Sequence, residues 1–297
     1  MSFFEMLQII KLNDKLPKNS KTVAIVENSR KEAVAVLRMF EQDDGSQSKL
    51  VELPSHLKFV PAPTTEEGSR HVSHITGASG SGKSTCAAAY ARHFINTFNL
   101  SPEEVFVFSS DDIVDKEFSF PHTFIHLNEE MVQEPIELEE LTSANGRSLC
   151  IFDDIEGLSN TKVKKATESL LQRVLETGRK RGIDVILISH KSANGNATKY
   201  ILGELDRFMF FPMYTQGRNL EYTLKNHLSL PDGLKAEFKD PAWGRWICVC
   251  TSGLQHIISE KRACILDHDE VNSALKKKSL FNNIKNKQEA KKLLGNF

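Results

Sequence analysis

The sequence predicts an α/β fold: a mostly parallel sheet with helices on both faces, preceded by a small β-containing extension and followed by a basic tail. Short and nearly continuous apolar runs recur from residue 71 onward, as expected for strands that are buried on both faces. Segments with helical patterning separate these runs, and a glycine-rich loop joins one of the strands to one of the helices. This alternation is typical of helices packed on a parallel sheet.

Composition narrows the class of protein. The chain has 297 residues and a formal net charge of −1, which excludes a strong overall attraction to nucleic acid. Its five cysteines lack C-x-x-C spacing, so we expect reduced and partly buried thiols. The first residues are too interrupted for a signal peptide, and no apolar run approaches the ~20 residues of a membrane span. We expect a protein that is neither secreted nor bound to a membrane.

The first 60 residues are predicted to form the extension. Two apolar runs, at residues 22–26 and 33–37, flank a polar stretch. They are compatible with a β-hairpin or with a strand followed by a short helix. Pro61 and Pro63 then begin a polar segment that we interpret as a linker into the next strand.

The stretch GASGSGKST at residues 77–85 fits the pattern G-x-x-x-x-G-K-[ST] of a phosphate-binding loop. Glycines let the backbone curve around an anion, so that successive N–H groups point at the phosphates. Lys83 is predicted to reach the β- and γ-phosphates of ATP, and the Ser84 hydroxyl to bind Mg²⁺. A strand is predicted before the loop and a helix after it, which a chance Gly/Ser linker would not require. The residues predicted to bind the nucleotide are Gly77, Gly80, Ser81, Gly82, Lys83, Ser84 and Thr85.

Further elements follow the same α/β pattern. Residues 160–177 carry apolar side chains at helical spacing and are predicted to form a helix with one buried face. Residues 129–140 contain six glutamates and are expected to form a solvated surface segment. A late hairpin is predicted within residues 243–266. The runs predicted to be strands of the main sheet are 105–109, 148–154, 183–190 and 208–212.

Two carboxylates, Asp153 and Asp154, end the apolar run 148–154. Open α/β sheets bind their ligands at the carboxyl ends of the strands, so Asp153 is predicted to hold Mg²⁺ through a water molecule. Asp154 is predicted to orient an attacking water, which favours hydrolysis over transfer of the phosphoryl group to a bound acceptor. An acidic N-cap for the next element is the alternative role of Asp154, and Glu156 is a weaker candidate for orienting water.

The basic segment ETGRKRG at residues 176–182 follows the predicted helix. Arg179 or Arg181 is a candidate to neutralise the γ-phosphate held by a neighbouring subunit, and we expect this helix end to lie near the carboxyl edge of the sheet. A favourable contact with the helix dipole is the alternative for either arginine. His190 ends the next strand and is a candidate sensor of the γ-phosphate, although a histidine at such a place can be purely structural.

With GASGSGKST, SLCIFDDIE and ETGRKRGIDVILISH in this order, the chain resembles the viral branch of the FtsK/HerA superfamily of P-loop ASCE ATPases. These are the poxvirus-type genome-packaging ATPases. The resemblance covers roughly residues 56–267. It implies an ASCE-type sheet, ATP and Mg²⁺ as cofactors, and DNA-stimulated hydrolysis that moves double-stranded DNA into a viral capsid. It also implies a homo-oligomeric ring in which Arg179 or Arg181 is the arginine finger.

The resemblance assigns the other site residues by position. Lys83 and Ser84 correspond to the Walker A pair, and Asp153 and Asp154 to the Walker B pair. The chain departs from the usual pattern twice. His190 stands where the superfamily usually has glutamine, and Asp154 stands where a glutamate is more usual.

The resemblance also suggests a division of the chain. We expect a P-loop ATPase domain over residues 61–267, between the extension at 1–60 and a basic, partly helical tail at 268–297. The lysines of the tail suit contact with a DNA backbone without sequence preference. A solvated amphipathic helix, or docking onto a capsid protein or a neighbouring subunit, is the alternative. Such a protein is expected in the cytoplasm of a host cell or in a virion.

Two other classes of function remain open at this stage. A small-molecule or nucleoside kinase can carry the same phosphate loop, but it should also have a mobile arginine-rich lid, and only Arg179 and Arg181 cluster. A nucleotide-binding structural component would have no reason to combine Lys83 with Asp153 and Asp154. The balance favours an ATPase.

Overall fold

The computed structural model describes residues 6–40, 50–66, 68–192, 196–215, 217–231 and 234–266. The basic tail predicted at 268–297 lies outside these residues. The strands are β1 (Met6–Lys11), β2 (Ser20–Glu27), β3 (Ala33–Phe40), β4 (Leu50–Glu52), β5 (Lys58–Pro61), β6 (Val72–Thr76), β7 (Val105–Ser109), β8 (Thr123–His126), β9 (Ser148–Asp153), β10 (Ile183–Ser189), β11 (Arg207–Phe210), β12 (Ile247–Cys250), β13 (His256–Ser259) and β14 (Arg262–Ile265). The α-helices are α1 (Lys83–Phe98), α2 (Glu130–Gln133), α3 (Thr161–Thr177), α4 (Asn196–Gly203), α5 (Gly217–Tyr222) and α6 (Leu234–Glu237).

Two compact units make up the chain. The first unit comprises Met1–Ala62, Phe211–Met213 and Glu221–Phe297, and the second unit comprises Pro63–Phe210 and Tyr214–Leu220. The domain boundaries predicted from the sequence stay a prediction.

Antiparallel strands build the first unit. Strands β1, β3, β2 and β5 are neighbours in that order, and β2 pairs antiparallel with β3. The two apolar runs near the start of the chain therefore form a hairpin, and the alternative of a strand followed by a helix is wrong. The late hairpin is also present, because β12 pairs antiparallel with β13, and β14 adds a third strand to it.

Parallel strands build the second unit. Strands β11, β6, β10, β9, β7 and β8 are neighbours in that order, and β10 pairs parallel with β6 on one side and with β9 on the other. Helix α1 follows β6 and helix α3 follows β9. The predicted α/β class with a mostly parallel sheet is therefore confirmed.

Helix α3 illustrates how the local sequence supports this arrangement. Asn160 caps its first turn by accepting hydrogen bonds from the N–H groups of Lys162 and Val163, as short polar side chains do at helix starts. Near its other end, the Arg70 guanidinium donates to the carbonyl of Val174 at 2.7 Å and to that of Leu175. The apolar face of the helix is buried in the core of the second unit through Val163, Leu170, Leu171, Val174 and Leu175. Burying each of these large side chains contributes about 1.5–3 kcal/mol.

A glycine and a buried carboxylate fasten the beginnings of the strands. Gly182, just before β10, has φ +67, and a Cβ atom on it would lie 1.9 Å from the carbonyl oxygen of Gly146. Asp184 on β10 is fully buried, accepts from the His71 N–H at 2.9 Å, and pairs with the Arg147 guanidinium at 3.0 Å. These contacts join the starts of β6, β9 and β10.

Replacing Gly182 with alanine should destabilise the protein. A left-handed backbone costs an L-residue about 1–2 kcal/mol, and the clash with the Gly146 carbonyl adds to it, so we expect a loss of more than about 2 kcal/mol in the free energy of unfolding. Denaturant titration measures this loss. Gly68→Ala is the control, because Gly68 has nearly the same φ (+68) but open space around it. Equal effects of the two substitutions would contradict the role of the Gly146 contact.

Candidate nucleotide-binding site

Three strands bring the predicted site residues to one edge of the sheet. In the parallel register, Ser189 of β10 is opposite Thr76 of β6, and Ile188 is opposite Asp153 of β9. The residues that follow these strand ends are Gly77, Asp154 and His190. The glycine-rich loop, the carboxylate pair and the histidine therefore meet, as the carboxyl ends of parallel strands do.

The loop is held to its neighbours by backbone hydrogen bonds. The N–H of Gly77 donates to the carbonyl of Ser189 at 3.3 Å, and the N–H of Ala78 donates to that of Tyr214 at 3.2 Å. Gly80 and Gly82 both have positive φ, +72 and +108, which only glycine adopts without strain. The side chain of Ser81 is fully buried. The loop thus has the curved backbone that its glycines predicted.

Helix α1 begins at the loop, with Gly82 as its N-cap. Lys83 is its first residue, and the side chains of Ser84 and Thr85 follow, half-buried and exposed respectively. The positive end of the helix dipole therefore lies at the loop, where it favours an anion.

Lys83 lies across the loop rather than extending into solvent. It is only 7 % exposed, and its Nζ donates to the carbonyls of Gly77 at 3.1 Å and Ala78 at 3.4 Å. The same Nζ lies 3.4 Å from Nδ1 of His190. The ammonium group is thus placed where the loop curves, next to the end of β10.

His190 links this lysine to the carboxylate pair. Its Nε2 lies 3.0 Å from Oδ2 of Asp154. Because the Lys83 ammonium group can only donate, Nδ1 of the ring accepts, and Nε2 carries a proton that is donated to Asp154. Lys83, His190 and Asp154 therefore form one continuous hydrogen-bonded chain between the loop and the end of β9.

Asp154 is held in an unusual conformation. Its φ of 46 and ψ of 39 lie in the left-handed region, which is uncommon outside glycine and costs free energy. Its N–H donates to the carbonyl of Ile188 at 3.2 Å. Its second oxygen, Oδ1, is buried and has no hydrogen-bond partner among the described residues. An unused acceptor of this kind fits a water molecule or a hydrated cation better than a capping role, and no side-chain cap bond is made to the turn that follows.

Asp153 lies in a crowd of negative charge. Burial is the main cause that raises its pKa from 3.8 to about 7, and Asp154, Asp115 and Asp111 add to it, while Lys83 acts in the opposite direction. Asp111 and Asp115 belong to the segment after β7, and Ser109 at the end of that strand is opposite Asp153. A carboxylate kept under such repulsion gains from a bound cation, so the donor set fits Mg²⁺.

Glu156 has a contact that the sequence did not reveal. Burial raises its pKa, and its carboxylate accepts a hydrogen bond from the backbone N–H of His190. It therefore holds the main chain of His190 while Asp154 holds the ring. This contact favours a positioning role for Glu156 over the orientation of water.

Arg179 and Arg181 are placed at the opposite edge of the sheet, so the expectation that they lie near the carboxyl edge is wrong. They belong to the short turn Gly178–Arg181 that precedes β10, and the seven residues of β10 separate them from His190 by about 23 Å. The physical reason is that a helix crossing over a parallel sheet runs antiparallel to the strands and ends where the next strand starts. Arg179 donates to the carbonyl of Gly68 at 3.4 Å, and Arg181 pairs with Glu139 at 2.5 Å.

Sequence reasoning assigned no role to three residues near this edge. Asp111 and Asp115 influence Asp153, and Tyr214 binds the loop through its carbonyl. The signal for the first two was present, since they follow the predicted strand 105–109, just as Asp153 and Asp154 end the predicted strand 148–154. Nothing in the sequence connects Tyr214 with a loop 136 residues earlier, and that proximity depends on the pairing of β11 with β6.

Comparison with known proteins finds a relative of this chain in a virophage. The chain is 32% identical over 229 residues to the uncharacterized protein V3 of Sputnik virophage, a match that covers 76% of this chain and 86% of V3. No protein-family model matches the chain.

Solved structures also show similarity to this chain. The DNA-packaging ATPase B204 of Sulfolobus turreted icosahedral virus matches with a TM-score of 0.47 and 15% identity over 64% of this chain and 97% of B204. The conjugation coupling protein TcpA of pCW3 matches with a TM-score of 0.46 and 14% identity over 87% of this chain and 82% of TcpA. None of the helices among the described residues is long and apolar enough to cross a membrane.

Replacing Asp153 with asparagine should stabilise the protein above neutral pH. The folded chain raises the pKa of Asp153 from 3.8 to about 7. Between about pH 4 and pH 7 the folded chain therefore keeps a proton that the unfolded chain has lost, so stability falls as the pH rises through this window and stays lower above it. Asp153→Asn removes this pH-dependent loss of stability, because asparagine does not titrate. We expect its melting temperature to exceed that of the parent by several degrees at about pH 8, since 1 kcal/mol shifts it by about 2–4 °C in a domain of this size.

The gain should shrink as the pH is lowered toward about 4, where Asp153 is protonated in both states. Thermal melts at a series of pH values measure it. Asp14→Asn serves as the matched control, because Asp14 is exposed in a turn. A gain of equal size at about pH 5 and pH 8 would contradict this interpretation.

Proposed function

We propose that this chain, which belongs to the same protein family as the Sputnik virophage protein V3, is an ATP-hydrolysing motor that translocates double-stranded DNA or packages it into a viral capsid. The observation that carries the proposal is the hydrogen-bonded chain from Lys83 through His190 to Asp154. It couples the loop that would bind phosphate to the carboxylate that would act on water. Its place of action would be the cytoplasm of the infected cell or the virion.

The loop residues and the start of α1 would hold the triphosphate. Backbone N–H groups from Gly80 to Thr85 and the Lys83 ammonium suit the charge of the phosphates. Ser84 and Asp153 would hold Mg²⁺, which would supply positive charge against the phosphate oxygens when bound. Burial and then the neighbouring carboxylates raise the pKa of Asp153, and a bound cation would offset both effects, which favours this assignment.

Asp154 would orient the attacking water. Its Oδ1 has no hydrogen-bond partner among the described residues, while Oδ2 lies 3.0 Å from Nε2 of His190. This oxygen, Oδ1, supports hydrolysis, because an attacking water has to be positioned by a hydrogen-bond acceptor.

His190 would report the state of the nucleotide. A phosphate oxygen that binds Lys83 competes with Nδ1 of His190 for the same ammonium protons. Loss of that contact would free the His190 ring to move. This movement would alter its hydrogen bond to Asp154 and the position of the backbone near Glu156. A histidine can therefore fill the place of the glutamine that is usual in the superfamily, because it too offers one acceptor and one donor.

A first experiment measures ATP hydrolysis with and without double-stranded DNA. We expect stimulation by DNA and no transfer of phosphate to nucleosides. Lys83→Ala should abolish turnover, and Asp154→Asn should keep Mg·ATP bound but slow hydrolysis by about 10²–10⁴-fold, because the water loses its acceptor. Asp14→Asn should behave as the parent. Phosphorylated nucleoside in the products would favour the kinase, and an unstimulated rate would contradict the motor.

A second experiment tests whether the arginines act on a neighbouring subunit. Arg179 and Arg181 lie about 23 Å from the site of their own chain, so they could act only in a ring or another assembly. An Arg179→Ala/Arg181→Ala chain and a Lys83→Ala chain should each be inactive. Mixing them should restore turnover, because one neighbour supplies the arginines and the other the intact loop. Such an arginine is worth about 10³-fold or more, so partial rescue is measurable.

The matched control for this mixture combines Lys83→Ala with Asp154→Asn. Both residues belong to one site of one chain, so this mixture should stay inactive even when the chains assemble. Co-assembly of the arginine variant with the Lys83 variant without any rescue would contradict action between subunits.

A further inference from the structure

The order of the strands sets the direction in which a nucleotide lies, given the function proposed above. Strand β6, which carries the phosphate loop, has β10 and then β9 on one side and β11 on the other. His190 and the pair Asp153–Asp154 follow β10 and β9, so the terminal phosphate must face that side. The nucleoside end of the ligand then leaves the loop on the side of β11.

Tyr214 lies on that side and is fastened to the loop. It follows β11 by four residues, and its carbonyl accepts the N–H of Ala78 at 3.2 Å. The neighbouring Thr215 hydroxyl donates to the carbonyl of Thr76, the last residue of β6, at 3.5 Å. Two hydrogen bonds thus hold this segment beside the start of the loop. One joins it to the backbone of Ala78 in the loop, and the other to the backbone of Thr76 at the end of β6.

Tyr214 is 49% exposed although its backbone is held by the hydrogen bond from Ala78. An exposed aromatic ring on a fixed backbone loses little entropy when a flat partner stacks on it. Tyr200 and Tyr222 are exposed to a similar extent, but they lie on α4 and α5. Among the residues that the structure describes, Tyr214 is the exposed aromatic side chain whose backbone is bonded to the phosphate loop.

We propose that Tyr214 is the surface on which the base of a nucleoside triphosphate stacks. Every base has a π-face, so stacking is tolerant of base identity, and a purine offers the larger face. The chain should therefore bind ATP and GTP with similar affinity and pyrimidine triphosphates more weakly. Tyr214 would contribute to affinity for the nucleoside and nothing to affinity for the phosphates.

The test compares Mg·ATP with magnesium tripolyphosphate, which has the phosphates but no base. Binding of each to the full-length chain is measured by calorimetry. Tyr214→Ala should weaken ATP binding about tenfold or more, as removal of a stacking ring does, and leave tripolyphosphate binding unchanged. Tyr214→Phe should retain ATP affinity, because it keeps the ring. Tyr200→Ala is the matched control and should behave as the parent with both ligands.

A second measurement does not depend on the alanine variant folding. Tyr214→Trp should show a change of tryptophan fluorescence with ATP, beyond that of the parent with its two tryptophans, and no such change with tripolyphosphate. Equal weakening of both ligands by Tyr214→Ala, or unchanged ATP affinity, would overturn the proposal. Because binding is measured without turnover, this result is independent of whether DNA stimulates hydrolysis, so failure of the motor and failure of the stacking site are told apart.

Discussion

The parallel pairing of β10 between β6 and β9 is the constraint on which the candidate site depends. Residues that follow the three strands come from positions 77, 154 and 190 of the chain, and they meet only because Ser189 is opposite Thr76 and Ile188 opposite Asp153. A shift of one residue along β10 would turn its side chains to the other face of the sheet. His190 would then lose Lys83 and Asp154 together, although no residue had changed.

The two edges of this sheet differ in their energetics. At the starts of the strands, Asp184 is buried with a hydrogen bond and an ion pair, and Gly182 permits a close backbone contact. At the carboxyl ends, Asp153 is crowded by like charges, and Asp154 has a left-handed backbone and an unused buried oxygen. Backbone strain and like-charge repulsion are therefore found at the edge where chemistry is proposed. The hydrogen bond and ion pair at the other edge stabilise the strands and offset this cost.

The same geometry bears on assembly. A crossover helix carries the chain from one edge of a parallel sheet back to the other, so a basic segment after α3 lies far from the site of its own subunit. Charge neutralisation by Arg179 or Arg181 would therefore make each site dependent on a second chain. Such a division would link hydrolysis to the arrangement of subunits, which is what a motor that moves along DNA requires.

Features determined by short-range patterns followed from the sequence by itself. The glycines and lysine of residues 77–85 specify a phosphate loop, because the glycines let the backbone curve around an anion and the lysine supplies opposite charge. Apolar runs of strand length specified β7, β9 and β10 and placed Asp153 and Asp154 at a strand end. The order of the strands, the contact of His190 with Lys83 and the bond between Tyr214 and Ala78 could not be predicted. The two contacts join positions more than 100 residues apart, and only the pairing and register of the strands decide which of these positions meet.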